Sequence, residues 1–300
     1  MSWLDLHLHS SFSDDGEFSP TRLALLCWRA GIGTAALADH NTTRGVPAML
    51  KAGRALGVEV IPAIELDCTH EGVDLHLLGY WIDPAHPGFA RAEESVLSQE
   101  QTAAGRRIEL VRACGIPLDL AAVTALSKDG IVTGEMIAEV ALAMPENAEH
   151  PLLSPYRPGG ARSDNPYVNF YWDFCAQGKP AYIPIRFPSL AEAVTLVREA
   201  GGLPVLAHPG NNIHEDAALL QSIVRCGVAG LEAYSSYHTP AQTAFYLRQA
   251  EALGLAVTCG SDFHGKIKPA IRLGSAESGG REAALLGELR KKLDSLEGAR

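Results

Sequence analysis

Between Ser189 and Ser261 the chain alternates three times between a helical period and a short apolar strand. "SLAEAVTLVREAGG" reads as a helix and "LPVLA" as a strand; "EDAALLQSIVRCG" and "VAGLEAY" follow, then "TPAQTAFYLRQAEALG" and "LAVTCGS". The first eighty residues do the same. Residues 3–9 form a strand, and "SPTRLALLCWRAG" forms a helix with Ser19 as N-cap, Pro20 in its first turn and Gly31 at its end. "GTAALA", "TRGVPAMLKAGRALG", "VEVIPAI" and "GVDLHLLGYWI" continue as strand, helix, strand and strand. Such βαβα order predicts an α/β fold, a parallel sheet with helices outside, and repetition on this scale favours a barrel.

The middle of the chain breaks the pattern. From Pro84 to Pro188 the period is helical, in "LSQEQTAAGRRIELVRACG", "LDLAAVTALSK" and "TGEMIAEVALAM", before a long loop, "HPLLSPYRPGGARSDNPYVNF". Long loops in compact proteins are usually functional or mobile. Residues 84–188 are therefore expected to form a helical insertion capping one end of a barrel built from 1–83 and 189–300.

With 300 residues, 47% of them hydrophobic, the chain can bury a large core. A net charge of −10 argues against tight binding of long nucleic acid. Six cysteines without a C-x-x-C pair, and no leader before Trp3, point to a reducing cytoplasm. No apolar run is long enough to span a membrane.

Polar residues able to bind metals fall at the ends of the strands. His7 and His9 share one face of the first strand with Asp5, because residues i and i+2 of a strand point the same way. Asp39-His40 closes the second strand and Glu65 the third; His76 lies in the fourth, His208 follows "LPVLA", Glu232 lies in "GLEAY", and Asp262 and His264 follow "LAVTCGS". With 11 histidines, about 0.4 H-x-H pairs arise by chance, so that motif alone is weak. The recurrence at successive strand ends is not accidental, because in a β/α barrel these ends converge on one mouth. Imidazole with carboxylate suits Zn, Mn or Fe rather than Ca.

The stretches "DLHLHSSFSDDGEFSP", "LADHNTTRG", "IPAIELD", "DLHLLGYWID", "LPVLAHPG" and "CGSDFHG" resemble the successive motifs of the polymerase-and-histidinol-phosphatase (PHP) superfamily of metal-dependent phosphoesterases. The resemblance spans residues 3–83 and 178–275. It is nearest to the branch with an inserted domain, which includes nucleoside 3′,5′-bisphosphate phosphatases and a 5′–3′ exoribonuclease; "GKPAYIP" is similar to that branch too. It implies a distorted seven-stranded barrel and two or three divalent metals. It places His7, His9, Glu65 and Asp262 around one metal, Glu65, His76 and His208 around a second, and Asp14, His40 and His264 around a third. "SDDG" offers Asp14 and Asp15 for the carboxylate of the third; Asp14 is preferred because it follows Ser13 as in the motif. Asn41 stands where an Asp is common, and "IVTGEMIAEVAL" replaces an Arg and a His of the bisphosphatase branch.

Clustered divalent metals generate hydroxide from water and stabilise charge on a phosphate during displacement. The expected reaction is hydrolysis of a small, nucleotide-like phosphomonoester, releasing inorganic phosphate; a 5′–3′ exonuclease and a non-catalytic metal-binding module are the alternatives. Asp262 is a ligand at the reacting centre, and His40, His264 or a water supplies the leaving group's proton. Candidate substrate contacts are Arg162 and Lys179 from the insertion, His238 near a strand end, and Lys266. Tyr167, Phe170, Tyr171 and Trp172 either stack a nucleobase or pack the insertion on the barrel, and Asp5 is expected to hydrogen-bond a ligand imidazole. The sequence leaves the oligomeric state open.

Overall fold

The protein is described by a computed structural model over residues 2–298. Strand β1 (Leu4–Leu8) leads through α1 (Pro20–Arg29) to β2 (Thr34–Leu37), and α2 (Val46–Leu56) to β3 (Glu59–His70) and β4 (Val73–Tyr80). Five helices follow without a strand: α3 (Pro87–Ala113), α4 (Leu120–Leu126), α5 (Gly134–Ala143), α6 (Pro166–Phe170) and α7 (Leu190–Glu199). The alternation then resumes with β5 (Leu203–Leu206), the short α8 (Pro209–Asn212), α9 (Ala217–Arg225), β6 (Gly230–Ser235), α10 (Pro240–Leu253), β7 (Ala256–Gly260) and α11 (Glu282–Glu297).

Local sequence accounts for these boundaries. The Ser19 hydroxyl accepts from the Arg22 amide at 3.3 Å and starts α1, with Pro20 in the first turn where no donor is lost. Ser189 with Glu192, and Thr239 with Gln242, form capping boxes at α7 and α10. Gly57 and Gly254 end α2 and α10 in the left-handed conformation.

The seven strands lie side by side in chain order, β1 to β7, in a nearly closed barrel. Beyond β7 the ring is drawn together by backbone bonds: Asp262 N–H donates to His7 O at 2.9 Å, and His9 N–H to Phe263 O at 3.1 Å. Leu6, Ile64, Leu77, Leu206 and Leu231 belong to one large buried cluster of the barrel.

The expectation of an all-parallel sheet fails at its centre. β3 pairs antiparallel with β4, and β4 with β5; the other neighbours are parallel. β3 also runs six residues past Ile64, to His70, so Glu65 sits inside the strand rather than at its end. The cause is a two-residue turn, Glu71-Gly72, with φ of 51° and 82°. Two left-handed residues match the twist of a tight hairpin, which folds β4 straight back on β3. No helix pattern separates the two strands, and without a crossover they cannot be parallel.

Residues between 104 and 181 form a hydrophobic cluster of their own, including Val111, Ile137, Leu153, Phe170 and Ala181. The long loop is not irregular throughout. It contains a 3-10 turn at Ser154–Tyr156 and α6, and it is flanked by a 3-10 turn at Pro145–Asn147 and a π-helical turn at Tyr171–Cys175. Side chains tie this segment to the barrel. Lys128 Nζ donates to Ser13 O (3.2 Å) and Gly16 O (2.7 Å), and Arg44 pairs with Glu93 and Asp129.

Candidate metal centre

Glu65 is the hub of the barrel mouth. It is fully buried, on the strand that carries Asp67 two residues on, and its two oxygens face different partners. Oε2 lies 3.0 Å from His7 Nε2 and 3.1 Å from His9 Nε2; Oε1 lies 2.9 Å from His76 Nδ1 and 3.1 Å from His208 Nε2. Asp262 Oδ1 closes the first group, 3.0 Å from His9 Nε2 and 3.4 Å from His7 Nε2. His7, His9, Glu65 and Asp262 can thus offer one atom each to a common point, and so can Glu65, His76 and His208. Those are the two groupings expected for the first two metals.

The expected third group differs at one residue. His40 and His264 converge with His9 and Asp15, not Asp14. Asp15 Oδ2 lies 3.1 Å from His264 Nε2, whereas Asp14, though it also lines the adjoining cavity, joins none of the converging groups. The loop reverses direction at this point, with Ser13 N–H on Ser10 O and Gly16 N–H on Ser13 O. That turn brings Asp15 inward. A fourth convergence, His40, Asp67 and His76, was not expected from the sequence. Asn41 holds Asp67 in place, its Nδ2 donating to Asp67 Oδ2 at 2.7 Å and its Oδ1 accepting from Asp67 N–H at 3.0 Å.

The donor set fits divalent cations. His9 Nε2, Asp15 Oδ1, His40 Nδ1, Asp262 Oδ1 and His264 Nε2 are buried and make no hydrogen bond of good geometry, although His9 Nε2 faces Asp262 Oδ1 at 3.0 Å and His264 Nε2 faces Asp15 Oδ2 at 3.1 Å. Each unpaired buried polar atom costs about 1–3 kcal/mol, and atoms that converge can be satisfied together by a cation. Nitrogen and carboxylate donors without thiolate suit Zn, Mn or Fe.

Surrounding residues fix the ligands. Glu232, fully buried on β6, lies 3.0 Å from His7 Nδ1 and accepts the His208 amide at 2.8 Å. A carboxylate on the far nitrogen fixes the tautomer and turns Nε2 toward the site. Ser13 Oγ lies 3.0 Å from His9 Nδ1 and donates to Asp39, which also accepts from Ser10. His264 Nδ1 is fixed by Asp262 O at 2.9 Å. Asp5 does not reach an imidazole as expected. It accepts from the Ser261 amide (2.9 Å), the Ser261 hydroxyl (2.6 Å) and the Gly274 amide (2.8 Å), and so anchors the loop that carries Asp262. Asp262 itself adopts φ 58°, a left-handed conformation that costs about 1–3 kcal/mol in a non-glycine residue. Lys268 Nζ, 2.6 Å away, and the Tyr237 hydroxyl, 2.5 Å away, hold its Oδ2.

Charge follows this geometry. Burial opposes ionisation of Glu65, but His7, His40 and His76 outweigh it and hold its carboxyl well below the usual range. Burial lowers His9 and His76, yet their carboxylate neighbours, Asp262 and Glu65 for His9 and Glu65 and Asp67 for His76, carry both up to about 9. Burial lowers His40 to about 4, and lowers His264 too. The shift favours the neutral imidazole that metal ligation requires.

The candidate substrate contacts do not gather here. Arg162 forms a two-pronged pair with Asp173, Nε to Oδ2 at 3.0 Å and Nη2 to Oδ1 at 2.9 Å. Lys266 binds Glu139 through both carboxylate oxygens, at 2.6 and 2.8 Å, joining the barrel to α5. His238 uses both ring nitrogens on backbone, Nδ1 toward Ala233 O (2.9 Å) and Nε2 accepting from Gly210 N–H (3.0 Å), and stacks on Tyr246. Lys179 is exposed and off the cavity. Arg162, Lys266 and His238 find partners in the fold, which a sequence does not display. Of the aromatic group, Phe170 is core, and Tyr171 and Trp172 line the cavity.

That cavity, about 200 Å³, lies between the metal-binding side chains and the helices that separate β4 from β5. One wall carries Asp15, His40, His76 and Lys268; the other carries Glu135, Tyr171, Trp172, Ile183 and Phe187. Glu135, on the first turn of α5, is 7% exposed; burial first, then the charge of Asp15, pushes its carboxyl up to about 7.

Residues 5–132 match the PHP domain. The chain is 30% identical over 264 residues to phosphoribosyl 1,2-cyclic phosphate 1,2-diphosphodiesterase of Eggerthella lenta, covering 87% of this chain and 94% of that protein. The chain belongs to the PHP family. It is 28% identical over 272 residues to 3′,5′-nucleoside bisphosphate phosphatase of Chromobacterium violaceum, covering 88% of each. A crystal structure from Bifidobacterium adolescentis, described as that of a metal-dependent phosphoesterase, superimposes with a TM-score of 0.77 and 25% identity, covering 96% of each chain. As a PHP-family member the chain is a metal-dependent phosphoesterase, a phosphoric ester hydrolase. No helix among the described residues is long and apolar enough to cross a membrane.

Proposed function

We propose that the chain hydrolyses a phosphomonoester of a nucleotide-like alcohol in the cavity between its metal centre and residues 84–188, which act as a cap. The observation that carries this reading is the sharing of ligands: Glu65 belongs to two metal-binding groups and His9 to two, so the cations would lie side by side, and Asp15, His40 and His76 of these groups line one cavity. His7, His9, Glu65 and Asp262 would hold one cation, Glu65, His76 and His208 a second, and Asp15, His40 and His264 a third. Zn, Mn or Fe fit these donors. Metals bound there supply charge against the phosphate oxygens and an activated water.

The chain's own groups do the rest. Glu232 keeps His7 turned inward, Lys268 and Tyr237 hold Asp262, and Tyr171 and Trp172 offer flat faces to a base or sugar. The similarity to a bisphosphate phosphatase and a cyclic phosphate diesterase supports a nucleotide-related substrate. Six unpaired cysteines accord with a reducing cytoplasm.

The test is metal analysis of purified protein followed by a phosphate-release screen. The panel holds an aryl phosphate, nucleoside monophosphates, a 3′,5′-bisphosphate and a short oligonucleotide. Release from nucleoside phosphates, lost in Asp262→Asn with the fold intact, is the expected result. A metal-replete protein that released phosphate from none of the monoesters would refute the reading, and stepwise release of mononucleotides from the oligonucleotide alone would replace it with an exonuclease.

A further inference from the structure

The cavity's charge is distinctive away from the metal-binding side chains. Two cations line it, and each already faces a carboxylate. Arg107 Nη1 donates to Glu100 Oε2 at 2.9 Å and to Val132 O at 2.5 Å. Lys268 Nζ lies 2.6 Å from Asp262 Oδ2. The remaining charged groups that line the cavity are all acidic, Asp14 and Asp74 on the barrel side and Glu135 on the side of α5. Glu135 is the most telling. It is nine-tenths buried, it opens α5 opposite the mouth of the barrel, and Tyr171 and Cys175 of the neighbouring turn share its wall.

With the first phosphate on the metal side, a second phosphate that reaches across the cavity meets the α5 side, where Glu135 sits. It would meet a buried carboxylate in a poorly solvated cavity, where like charges repel strongly. A hydroxyl or amine on the alcohol would instead find an acceptor. We propose that Glu135 is a specificity-determining residue that restricts the enzyme to substrates with a single phosphate and a neutral, hydrogen-bond-donating alcohol portion, excluding nucleoside bisphosphates. The inference rests on the phosphomonoesterase reading and names its substrate class. It also sets the chain apart from a relative named for a bisphosphate, despite 28% identity.

The experiment compares metal-loaded wild type, Glu135→Gln and Glu135→Lys on adenosine monophosphates and adenosine 3′,5′-bisphosphate at about pH 8, where carboxylates are ionised. Wild type is expected to favour the monophosphate in kcat/KM by on the order of tenfold. Glu135→Gln should narrow that ratio and Glu135→Lys reverse it. A residue that merely supports α5 would lower both rates and leave the ratio unmoved. Calorimetric titration with non-hydrolysable phosphonate analogues of the two substrates reads the same preference without turnover. Silence in every phosphate assay would therefore overturn the phosphomonoesterase reading, while the binding ratio still decides this one. Wild-type preference for the bisphosphate, or a ratio unchanged in both variants, would overturn the role of Glu135.

Discussion

At the scale of single residues, Asp14 and Asp15 have the same chemistry and adjacent positions, yet only Asp15 converges with His9, His40 and His264. Burial works against ionisation of Asp15, but His264 and His40 outweigh it and hold its carboxyl below the usual range. Burial and the charge of Asp15 push Asp14 up to about 8. Asp15→Asn should lower bound metal and cut phosphate release by a factor of about 100, at the upper end for groups that orient or bind a metal, whereas Asp14→Asn should cost less than about tenfold. Metal content by elemental analysis with parallel rates decides between them, and the reverse order would restore Asp14. A second expectation follows from His9 and His76. Their values near 9 mean that below that pH the metal-free site keeps protons on imidazoles that must be neutral to bind a cation. Metal affinity should rise with pH up to about 9, with protons released on loading. Calorimetry in buffers of different ionisation heat measures that release, and an affinity flat with pH would contradict it. Strand alternation made His7 and His9 legible from the sequence, because two imidazoles at i and i+2 share a face. It left Asp14 and Asp15 open, because a turn has no such period. Lys268, Tyr237 and Glu135 carried no signal, since they act through neighbours that only the fold supplies.

At the scale of elements, each ligand depends on how its strand ends. β7 closes on Gly260, where a Cβ would lie 2.3 Å from the His7 Cβ and 2.4 Å from Glu232 Oε1. Neither side chain can retreat, since each holds the other at the base of the site. Gly260→Ala should destabilise the fold by about 1–3 kcal/mol, the usual cost of overpacking, and should reduce activity more than the loss of folded protein explains. Thermal melting with rates normalised to folded fraction separates the two effects; a variant with normal stability and rate would show that β1 and β7 pack less tightly than this geometry implies. The β3–β4 hairpin shows why element order was more legible than pairing. Both strands were evident from their apolar pattern, but parallel pairing was inferred from the helices elsewhere. Pairing here turned on Glu71 and Gly72, whose left-handed backbone reverses the chain in two residues. That reversal sets Asp67 opposite His76 and so creates a ligand convergence that strand ends alone did not reveal.

At the scale of the whole molecule, the metal centre is also a structural joint. Its side chains come from β1, β3 and β4 and from the loops that follow β1, β2, β5 and β7, so residues 7 to 264 meet at one point. The barrel brings Glu65, Asp15, Asp67 and Asp262 close together among histidines, and several of their buried polar atoms have no hydrogen-bond partner. A cation that binds this arrangement, and not the unfolded chain, stabilises the fold by mass action. At a free concentration of a hundred times Kd each site contributes about 2.7 kcal/mol. A chain of this size gains about 1.6 °C in Tm per kcal/mol, and more than one site is emptied at once. Chelation should therefore lower Tm by roughly 5 °C or more, and restoring a single divalent metal should recover it in a concentration-dependent way. The same chelation on Asp15→Asn should produce a smaller drop, because one site is already lost. Scanning calorimetry on protein shown to be metal-free measures both. An unchanged Tm would mean that the strands hold these ligands together unaided, and that the buried atoms without hydrogen bonds are tolerated by the fold rather than satisfied by a cation.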